Sequence, residues 1–472
     1  MNGKPPMSPT SETQAKKNPL ETAVRTLVPM VPLAIALAHS AVAPKIGNRQ
    51  PTAQGVVEHL GASASHRSPP SLSGCVTKKP CPLLAKGKPA VSWWFVFKFN
   101  AQSFPGCDGT NKCPFGGDLQ SYKVGQHYAV ASSDAPKLAD GAGGCLGATT
   151  DDPVGASFDE IYNGDVHYVI WNDQPYGDPQ IEGCTSSGGN CGEPWAHSKG
   201  VLAWNDAGEG FVMQVSTPSW PISGNANAQR DRGNTLGCLK SPDNVLLSQH
   251  FFALLLSKDD VVNVLKGLAN AGVATAHIDD AMMISNGGPS DIQSLVSSLG
   301  EKPDKTTRHV VQVTLSSGVT FLSKSSGMDV PSWQFVSAQL GGANLRVATF
   351  YDNDKIESTT QAGKPTCWDA SLGVPGAVEN AKTGSWPDPS TGNQVTLQFG
   401  SSPSNGNHAK IGVTTSGTPM AIFGDENQQG GLGPVGAPGC AAAQNGRGGT
   451  FYAVQDPQLA ESLGQMMAGE SF

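Results

Sequence analysis

The chain has 472 residues, of which 38% are hydrophobic and only 15% are charged, together with 57 glycines and 35 prolines. This length suffices for two ordinary domains or one large two-layered domain, and the composition is typical of a globular protein rich in loops and strands. A coiled coil or a helical array is excluded by the same numbers. The net charge of −8 leaves no large basic face for nucleic acid, so a polyanion would be held by a few local cations or bound at acidic pH.

Residues 1–43 are predicted to be an export leader. Lys16, Lys17 and Arg25 precede an apolar run over residues 27–43 that ends in small residues, which is the pattern of a signal peptide. A membrane anchor is the alternative, but the run contains two prolines and is shorter than the ~20 apolar residues that a spanning helix needs. We therefore expect a secreted or periplasmic protein with no stable membrane association once the leader is removed. Pro44 leaves the exact cleavage site open.

The ten cysteines favour disulfides, because an even number of cysteines in an exported chain indicates a disulfide framework. A zinc site is disfavoured, since no Cys-x-x-Cys motif occurs and no cysteine has a histidine at finger spacing. Two close pairs, Cys107 with Cys113 and Cys184 with Cys191, could each close a local loop. The spacing leaves the remaining connectivity open.

The first part of the mature chain is predicted to be irregular and then strand-rich. Residues 44–88 are rich in Ser, Pro and Gly and are interpreted as an irregular arm. The first strand is predicted at residues 91–99, an aromatic and β-branched run. Residues 100–157 are interpreted as loops with short strands. Further strand-like runs follow at residues 167–173, 200–206 and 210–217.

Three helices are predicted from their caps. The first begins at Ser257 with a capping box, the second begins at Ser290, and the third has Asp456 as its cap and Pro457 in its first turn. Strand-like runs resume at residues 308–315, 345–352, 394–400, 409–415 and 419–424. Strands with intervening helices indicate an α/β or α+β sandwich.

A His-x-Lys motif opens a strand-like run twice, as His197 with Lys199 and as His408 with Lys410. A second apolar run follows each motif about a dozen residues later. This similarity indicates two related halves, predicted at residues 89–235 and 236–472, across a pseudo-twofold axis. Taken alone the match is weak, because so short a motif recurs by chance.

Each motif would present an imidazole beside an ammonium group, because residues i and i+2 of a strand lie on the same face. Such groups suit phosphodiester hydrolysis. A neutral imidazole can attack phosphorus, an imidazolium can protonate the leaving oxygen, and the lysines can stabilise the charge on the other oxygens. No metal or other cofactor is required. The pair works best at or below the ordinary histidine pKa of about 6.5.

Each pattern also has a simpler explanation. A single His-x-Lys is more often a solvated surface pair than a catalytic one. The acidic run at residues 425–427 could be a calcium loop, but it lacks the alternating ligand spacing of an EF-hand. The remaining histidines in strand or helix runs, interpreted as packed or surface residues, are His250, His277 and His309.

Several motifs, taken in order, resemble the deoxyribonuclease II family of the phospholipase D-like superfamily. They are VSWWFVFKF, YVIWNDQP, HSKGVLAW, GFVMQVSTPSWP, NTLGC, QLGGANLRV, NHAKIGV and FGDENQQGG, the last followed by Cys440. The resemblance covers about residues 90–444, and the ordered set is far more specific than any one motif. The long loops look unlike the compact animal enzymes and suggest a secreted bacterial-type member.

The resemblance implies a metal-independent acid endonuclease that cleaves DNA to 3′-phosphate ends through a phosphohistidine. It also implies a pseudodimeric α-β-α sandwich of two β-sheet halves flanked by helices, with one active site between them. His197 and Lys199 would form one half-site, and His408 and Lys410 the other. Superfamily analogy slightly favours His197 as the nucleophile and His408 as the acid, and the roles stay open.

Further residues follow from the same resemblance. The substrate-binding residues that it implies are Asn172, Asn427, Asp425 and Gln428, with the two asparagines contacting phosphate or orienting an imidazole. The disulfides that it implies are Cys81 with Cys238 and Cys367 with Cys440. The partner that it implies is DNA, without a metal; the oligomeric state and any preference for DNA over RNA stay open.

One departure from the wider superfamily narrows the assignment. That superfamily has an aspartate five residues after each lysine, where this chain has Trp204 and Thr415. The nuclease family itself lacks this aspartate. Two alternatives remain, a phosphodiesterase acting on lipid head groups and an exported binding module without activity. A shared phosphate requires imidazole nitrogens of His197 and His408 within roughly 5–7 Å, whereas pairs on separate surfaces would favour the binding module.

Overall fold

The computed structural model describes most of the chain from residue 79 onward, and the structural statements below refer to the described residues. These are residues 56–59, 79–104, 127–141, 146–147, 149–174, 181, 184, 191–218, 247–277, 283–351, 355–400, 406–433, 440 and 443–472. The chain divides into Met1–Ala53 and Gln54–Phe472, and every described residue lies in the second unit. The predicted leader, residues 1–43, lies outside the described residues.

The described residues form strands and helices in alternation along much of the chain. The strands are β1 (Val56–His59), β2 (Trp93–Lys98), β3 (Tyr128–Ser132), β4 (Ala135–Asp140), β5 (His167–Asn172), β6 (Lys199–Trp204), β7 (Gly210–Val215), β8 (Gln249–Leu256), β9 (Ile284–Ser285), β10 (His309–Thr314), β11 (Thr320–Lys324), β12 (Leu345–Ala348), β13 (Val378–Asn380), β14 (Thr383–Pro387), β15 (Gln394–Gln398), β16 (Ile411–Thr414), β17 (Ala421–Gly424) and β18 (Gly449–Val454). The helices are α1 (Pro153–Tyr162), α2 (Lys258–Ala271), α3 (Ser290–Ser297), α4 (Ser332–Gln339) and α5 (Pro457–Met466), with 3₁₀ turns at Ser326–Met328 and Ala443–Gly446.

These strands assemble into two large sheets and one ribbon. The first sheet has the order β4–β3–β2–β8–β7–β6–β5–β9, and the second has the order β1–β10–β11–β18–β17–β16–β12–β13. Strands β14 and β15 form a separate antiparallel pair. The expected mixed α/β architecture is confirmed.

Five neighbouring strands have the same order in both sheets. They are β2–β8–β7–β6–β5 in the first sheet and β11–β18–β17–β16–β12 in the second, and every neighbouring pair is antiparallel. In each set the first strand precedes a helix, α1 or α4, then the other four strands follow, and a helix, α2 or α5, comes last. The two sheets therefore repeat one arrangement of strands and helices.

The sheets divide the chain at a different place from the predicted halves. Strand β8 lies between β2 and β7 in the first sheet, and β9 pairs with β5. The boundary predicted at residue 235 therefore falls inside the first sheet, which is complete only at Ser285. Strand β1, in the predicted irregular arm, pairs in parallel with β10 of the second sheet. The interpretation of residues 44–88 as irregular therefore fails for β1, whereas the segment around Cys81 and Leu83 is irregular but buried.

The two large sheets pack face to face through aromatic side chains. Phe423 of β17 stacks on Phe95 of β2 and on Phe252 of β8, with ring centroids 4.5 Å apart in both contacts. Tyr452 of β18 lies 5.6 Å from Phe252. Because buried aromatic residues remove large apolar areas from water, this layer is the main energetic link between the sheets.

Helices cover the outer faces and the edges of the sheets. Phe158 and Ile161 of α1 share a buried cluster with Trp94 of β2, and Trp333 of α4 shares another with Leu322 of β11. Helix α2 follows the first sheet but contacts β10 and β11 of the second, whereas α5 follows the second sheet but contacts β4 of the first. The two closing helices thus tie each sheet to the other.

All three predicted helices are present, and the predicted caps hold for α2 and α5 but not for α3, whose N-cap is Pro289 without a side-chain hydrogen bond. Ser257 and Asp260 form the capping box of α2, α3 begins at Ser290, and the Asp456 side chain accepts backbone hydrogen bonds at the start of α5. Helix α4 was not predicted because it has no side-chain cap, whereas α1 was overlooked although Asp152 caps it and Pro153 opens its first turn, as in α5. None of the helices in the described part of the chain combines the length and apolar character needed to span a bilayer.

Candidate active site

The two His-x-Lys motifs lie at equivalent places in the two sheets. Lys199 is the first residue of β6, and Lys410 directly precedes β16, which occupies the same position in the second sheet. All four side chains are buried: His197, Lys199, His408 and Lys410 are 6%, 2%, 5% and 1% exposed. The alternative of solvated surface pairs is therefore excluded.

The structure brings the two histidines together. The ring centroids of His197 and His408 are 6.4 Å apart, and the ring planes make an angle of 57°. The motifs, 211 positions apart in the sequence, thus share one place between the sheets and do not lie on separate surfaces.

Each imidazole is held by a backbone carbonyl of the opposite sheet. His197 donates from Nδ1 to the carbonyl of Asp425, the residue after β17, at 2.9 Å. His408 donates from Nδ1 to the carbonyl of Ser216, the residue after β7, at 2.7 Å. Because a carbonyl can only accept, each Nδ1 carries a proton and each Nε2 of the neutral ring carries a lone pair. Both rings are therefore oriented for chemistry at Nε2.

The two lysines have different surroundings. The Lys199 ammonium donates to Asp173 Oδ1 at 2.5 Å. The Lys410 ammonium donates to the carbonyl of His408 at 2.7 Å and lies 3.0 Å from His408 Nδ1. Each lysine therefore places a positive charge beside its own histidine.

Asp173 and Arg447 complete the first half-site, and both were missed by the sequence reasoning. Asp173 Oδ2 accepts from Arg447 at 2.8 Å and lies 4.0 Å from His197 Nε2. Arg447 also donates to the carbonyls of Cys191, Trp195 and Ala196, so it fixes the segment that carries His197. Asp173 was visible as the acidic residue of the NDQP motif; no sequence pattern pointed to Arg447.

Asp425 supports the site from behind. Its carboxylate accepts from the Thr450 amide at 2.9 Å, from the Thr450 hydroxyl at 2.5 Å and from Gln214 Nε2 at 3.0 Å. Burial raises the pKa of this carboxyl to about 6, although the Thr450 hydrogen bonds oppose the shift. The Asp425 side chain is thus engaged with protein groups, and the residue contacts His197 through its backbone carbonyl.

The other polar residues singled out from the motifs are buried at the same place. The Asn172 side chain accepts from the backbone amide of Gln174, and Asn427 donates from Nδ2 to Gln429 at 2.6 Å. Gln428 is fully buried and donates to Gln334 at 3.0 Å, which makes it part of the packing behind the site. Asn172 is the last residue of β5 and lies directly opposite Lys199, so among these residues it lies nearest to the His-x-Lys motifs.

Burial lowers the proton affinity of both histidines. It holds the pKa of His197 well below its usual range, and the charges of Lys199 and Arg447 act in the same direction. The pKa of His408 is also held well below its usual range by burial and then by Lys410. In the absence of substrate both rings are therefore neutral near pH 7, and an imidazolium forms only in acid or beside a bound anion.

The acidic run at residues 425–427 has a structural use. Glu426 is fully buried and its carboxylate lies 3.5 Å from the Lys324 ammonium, which itself donates to backbone carbonyls of Asn445 and Arg447. This run is therefore not arranged as a calcium loop. In the described residues, no three His, Cys, Asp or Glu side chains are grouped to hold a metal ion.

Two disulfides are described, one in each half of the chain. Cys184 bonds to Cys191, one of the two local pairs that spacing suggested, and Cys367 bonds to Cys440, as the resemblance implies. Cys81 is also disulfide-bonded. Its implied partner Cys238 and the local pair Cys107 and Cys113 lie outside the described residues.

Comparison with known proteins agrees with this site. The family model for deoxyribonuclease II matches residues 83–470, which includes both sheets and both His-x-Lys motifs. No curated protein matches the chain. Because the family match covers most of the chain, the chain belongs to the deoxyribonuclease II family and is a hydrolytic endonuclease that acts on DNA.

Proposed function

We propose that this endonuclease cleaves DNA without a divalent metal, through a phosphohistidine, and leaves 3′-phosphate ends. The observation that carries the proposal is the facing pair of imidazoles, 6.4 Å apart, with each Nδ1 bound to a carbonyl of the opposite sheet. One Nε2 attacks phosphorus while the other ring protonates the leaving 5′ oxygen. The second ring then takes a proton from the water that hydrolyses the phosphohistidine.

The surrounding cations take the place that a metal ion has in other nucleases. Lys199 and Lys410 lie beside the rings and can stabilise the negative charge that develops on the non-bridging oxygens. The Nδ1 hydrogen bonds favour the transient imidazolium, since a carbonyl stabilises the positive ring. Among the nearby polar groups, Asn172 and Asn427 are proposed as further phosphate contacts, with Asp425 and Gln428 supporting them.

Activity is expected in acid. Because the pKa of each histidine lies well below its usual range, the fraction of the general acid that carries a proton rises as the pH falls below neutrality. A bound phosphodiester anion raises the same pKa by its charge. Lower pH also reduces the net negative charge of the protein and so its repulsion from DNA.

The two halves and the cellular location belong to the same proposal. The shared order of five strands supports a phospholipase D-like pseudodimer with one site between two halves. Two disulfides and the leader predicted at residues 1–43 support a secreted or periplasmic enzyme. DNA is the only partner that the site requires.

The test is cleavage of supercoiled plasmid at about pH 5 in EDTA. We expect cleavage by the wild type, products with 3′-phosphate ends, and a loss of at least about 10²-fold in His197→Ala and in His408→Ala. His277→Gln is the matched control, because His277 Nε2 donates to the Leu299 carbonyl away from the site, and the variant should leave cleavage unchanged. Full activity in either alanine variant, or a requirement for added metal, would refute the mechanism.

A further inference from the structure

The two half-sites share one strand register, and at two of the positions where their side chains differ, one half has a charged residue and the other an apolar residue. Asn172 lies opposite Lys199, and Ala348 lies opposite Ile411, so the next residue, Thr349, lies opposite Lys410. Since Lys199 and Lys410 are equivalent, so are Asn172 and Thr349. The residues that follow them, Asp173 and Phe350, therefore occupy equivalent positions. The backbone amide of His197 donates to the Gly448 carbonyl and that of His408 to the Ser248 carbonyl.

The two amide contacts make Gly448 equivalent to Ser248. The residues that precede them, Arg447 and Leu247, therefore occupy equivalent positions in the two halves. Strand pairing supports this equivalence. Gln249 pairs with Lys98, the last residue of β2, and Gly449 pairs with Lys324, the last residue of β11. The first half-site therefore contains a buried carboxylate and guanidinium, whereas the second contains a phenyl ring and a leucine. The two halves thus share their strand order and differ in charge at these two positions.

Asp173 and Arg447 make polar contacts beside His197, whereas the equivalent residues of the other half make apolar contacts. Asp173 lies 4.0 Å from His197 Nε2 and bridges Lys199 and Arg447. The Phe350 ring lies 5.2 Å from the His408 ring, and Leu247 is 4% exposed. Within the described residues, His408 makes no ion pair with a carboxylate. A positive charge on the ring is therefore favoured by a neighbouring carboxylate at His197 only.

We propose that Asp173 and Arg447 are positioning residues that make His197 the general acid and leave His408 as the nucleophile. The proposal rests on the two-histidine function above. The Nε2 lone pair of His408 forms the bond to phosphorus while the bond from phosphorus to O5′ breaks, and O5′ takes the Nε2 proton of His197. Neutral His197 then removes a proton from water, the water oxygen bonds to phosphorus, and the electron pair of the phosphorus–nitrogen bond returns to His408.

Several charges face His197 besides Asp173. Lys199 lies on its own strand, Arg447 precedes β18, and Lys410 and His408 come from the start of β16; all of these disfavour a second positive charge. The Asp425 carboxylate is bound to Thr450 and Gln214. Asp173 is thus the carboxylate nearest to the reacting nitrogen, and it sets how readily His197 takes a proton.

The first test is Asp173→Asn, which keeps the shape and removes the charge. A carboxylate within about 4–6 Å moves a pKa by one unit or more, so the high-pH limb of kcat should shift about one pH unit toward acid. On that limb activity should fall about tenfold at fixed pH, with little change in KM. Asp291→Asn removes a carboxylate from the exposed pair with Lys258 and is the matched control, with no expected shift.

The second variant should shift the high-pH limb of kcat in the opposite direction. Arg447→Gln removes a cation and leaves the Asp173 carboxylate less neutralised, so the same limb should move toward higher pH even if kcat falls through loss of the backbone contacts. Phe350→Leu, at the equivalent position of the other half, should leave the limb in place. A limb that stays fixed in Asp173→Asn, or that moves the same way in both charge variants, would overturn the proposal.

The two proposals fail in distinguishable ways. If the wild type does not cleave DNA in EDTA, the proposed function fails, whatever the variants do. The titration of ¹³C-labelled histidine still tests the inference without activity: Asp173→Asn should lower the midpoint of His197 by about one pH unit and leave that of His408 nearly unchanged. An equal shift of both rings, or of neither, would contradict it.

Discussion

The half-site built around His197 and the half-site built around His408 have one backbone geometry and two electrostatic environments. In both half-sites the imidazole Nδ1 donates to the backbone carbonyl of a residue that directly follows a strand of the opposite sheet, β17 for His197 and β7 for His408. Around His197 the adjoining positions hold Asp173 and Arg447, whereas Phe350 contacts His408. Strand register brings the two rings together, and we propose that the side chains at the two adjoining positions determine which ring more readily takes a proton.

This difference separates two tasks that a symmetric site could not separate. Two equivalent imidazoles would have equal proton affinities, so neither would be predisposed to attack phosphorus or to protonate the leaving group. A carboxylate beside one ring makes the two proton affinities unequal, and this requires a change of side chain but no change of strand register. The predictions below either break this contrast between the halves or measure it.

The largest effect is expected with a substrate whose leaving group needs no proton. Thymidine 3′-(4-nitrophenyl phosphate) releases nitrophenolate, so His197→Ala should still give a burst of about one nitrophenolate per enzyme. Turnover should then stall, because the base for hydrolysis is missing. His408→Ala should give no burst and should lose at least about 10²–10⁴-fold. Rapid-mixing absorbance measures both. A burst in His408→Ala and none in His197→Ala would exchange the roles.

The contact between the halves can be broken at Phe423, which is fully buried against Phe95 and Phe252. Phe423→Ala should lower the free energy of unfolding by about 3–5 kcal/mol, since it leaves a cavity between the sheets. Equilibrium denaturation under oxidising conditions measures the change. Val374→Ala, at a 52% exposed side chain, is the control and should stay within about 0.5 kcal/mol. A loss below about 1 kcal/mol for Phe423→Ala would mean that the sheets are held together elsewhere.

A further effect is the pH dependence of stability. The folded-state pKa of His197 and of His408 lies below the unfolded value of about 6.5, so below that pH the unfolded chain binds protons first. Stability is therefore lost as the pH falls from about 6.5 toward the folded pKa, by about 1.4 kcal/mol per histidine and pH unit.

The double variant His197→Gln with His408→Gln should lose less stability between pH 7 and pH 5 than the wild type. Comparing the two proteins removes the contribution of buried carboxyls such as Asp425, which is common to both. Urea denaturation at each pH supplies the difference. Equal losses in both proteins would show that the two rings are not buried in the neutral form.

Local chemistry explains why part of this protein could be predicted. The caps at Ser257 and Asp456 depend on a side chain and a backbone amide within three residues, so they are legible in the sequence. The His-x-Lys motifs are equally legible in the sequence, but the strand geometry expected for them is wrong, because only Lys199 of the four residues lies within a strand. Helix α4, which starts without a side-chain cap, gave no such signal and was missed.

The sequence by itself singled out two imidazoles and two lysines in two His-x-Lys motifs, and it gave a family resemblance that the comparison confirmed. Only the tertiary structure decided that His197 faces His408, because that distance depends on how two sheets pack through Phe423. The carbonyls of Asp425 and Ser216 were also beyond sequence reasoning, since every residue has a carbonyl and only strand register determines which one meets a ring. The same holds for Arg447, which reaches Asp173 across 274 positions of the chain.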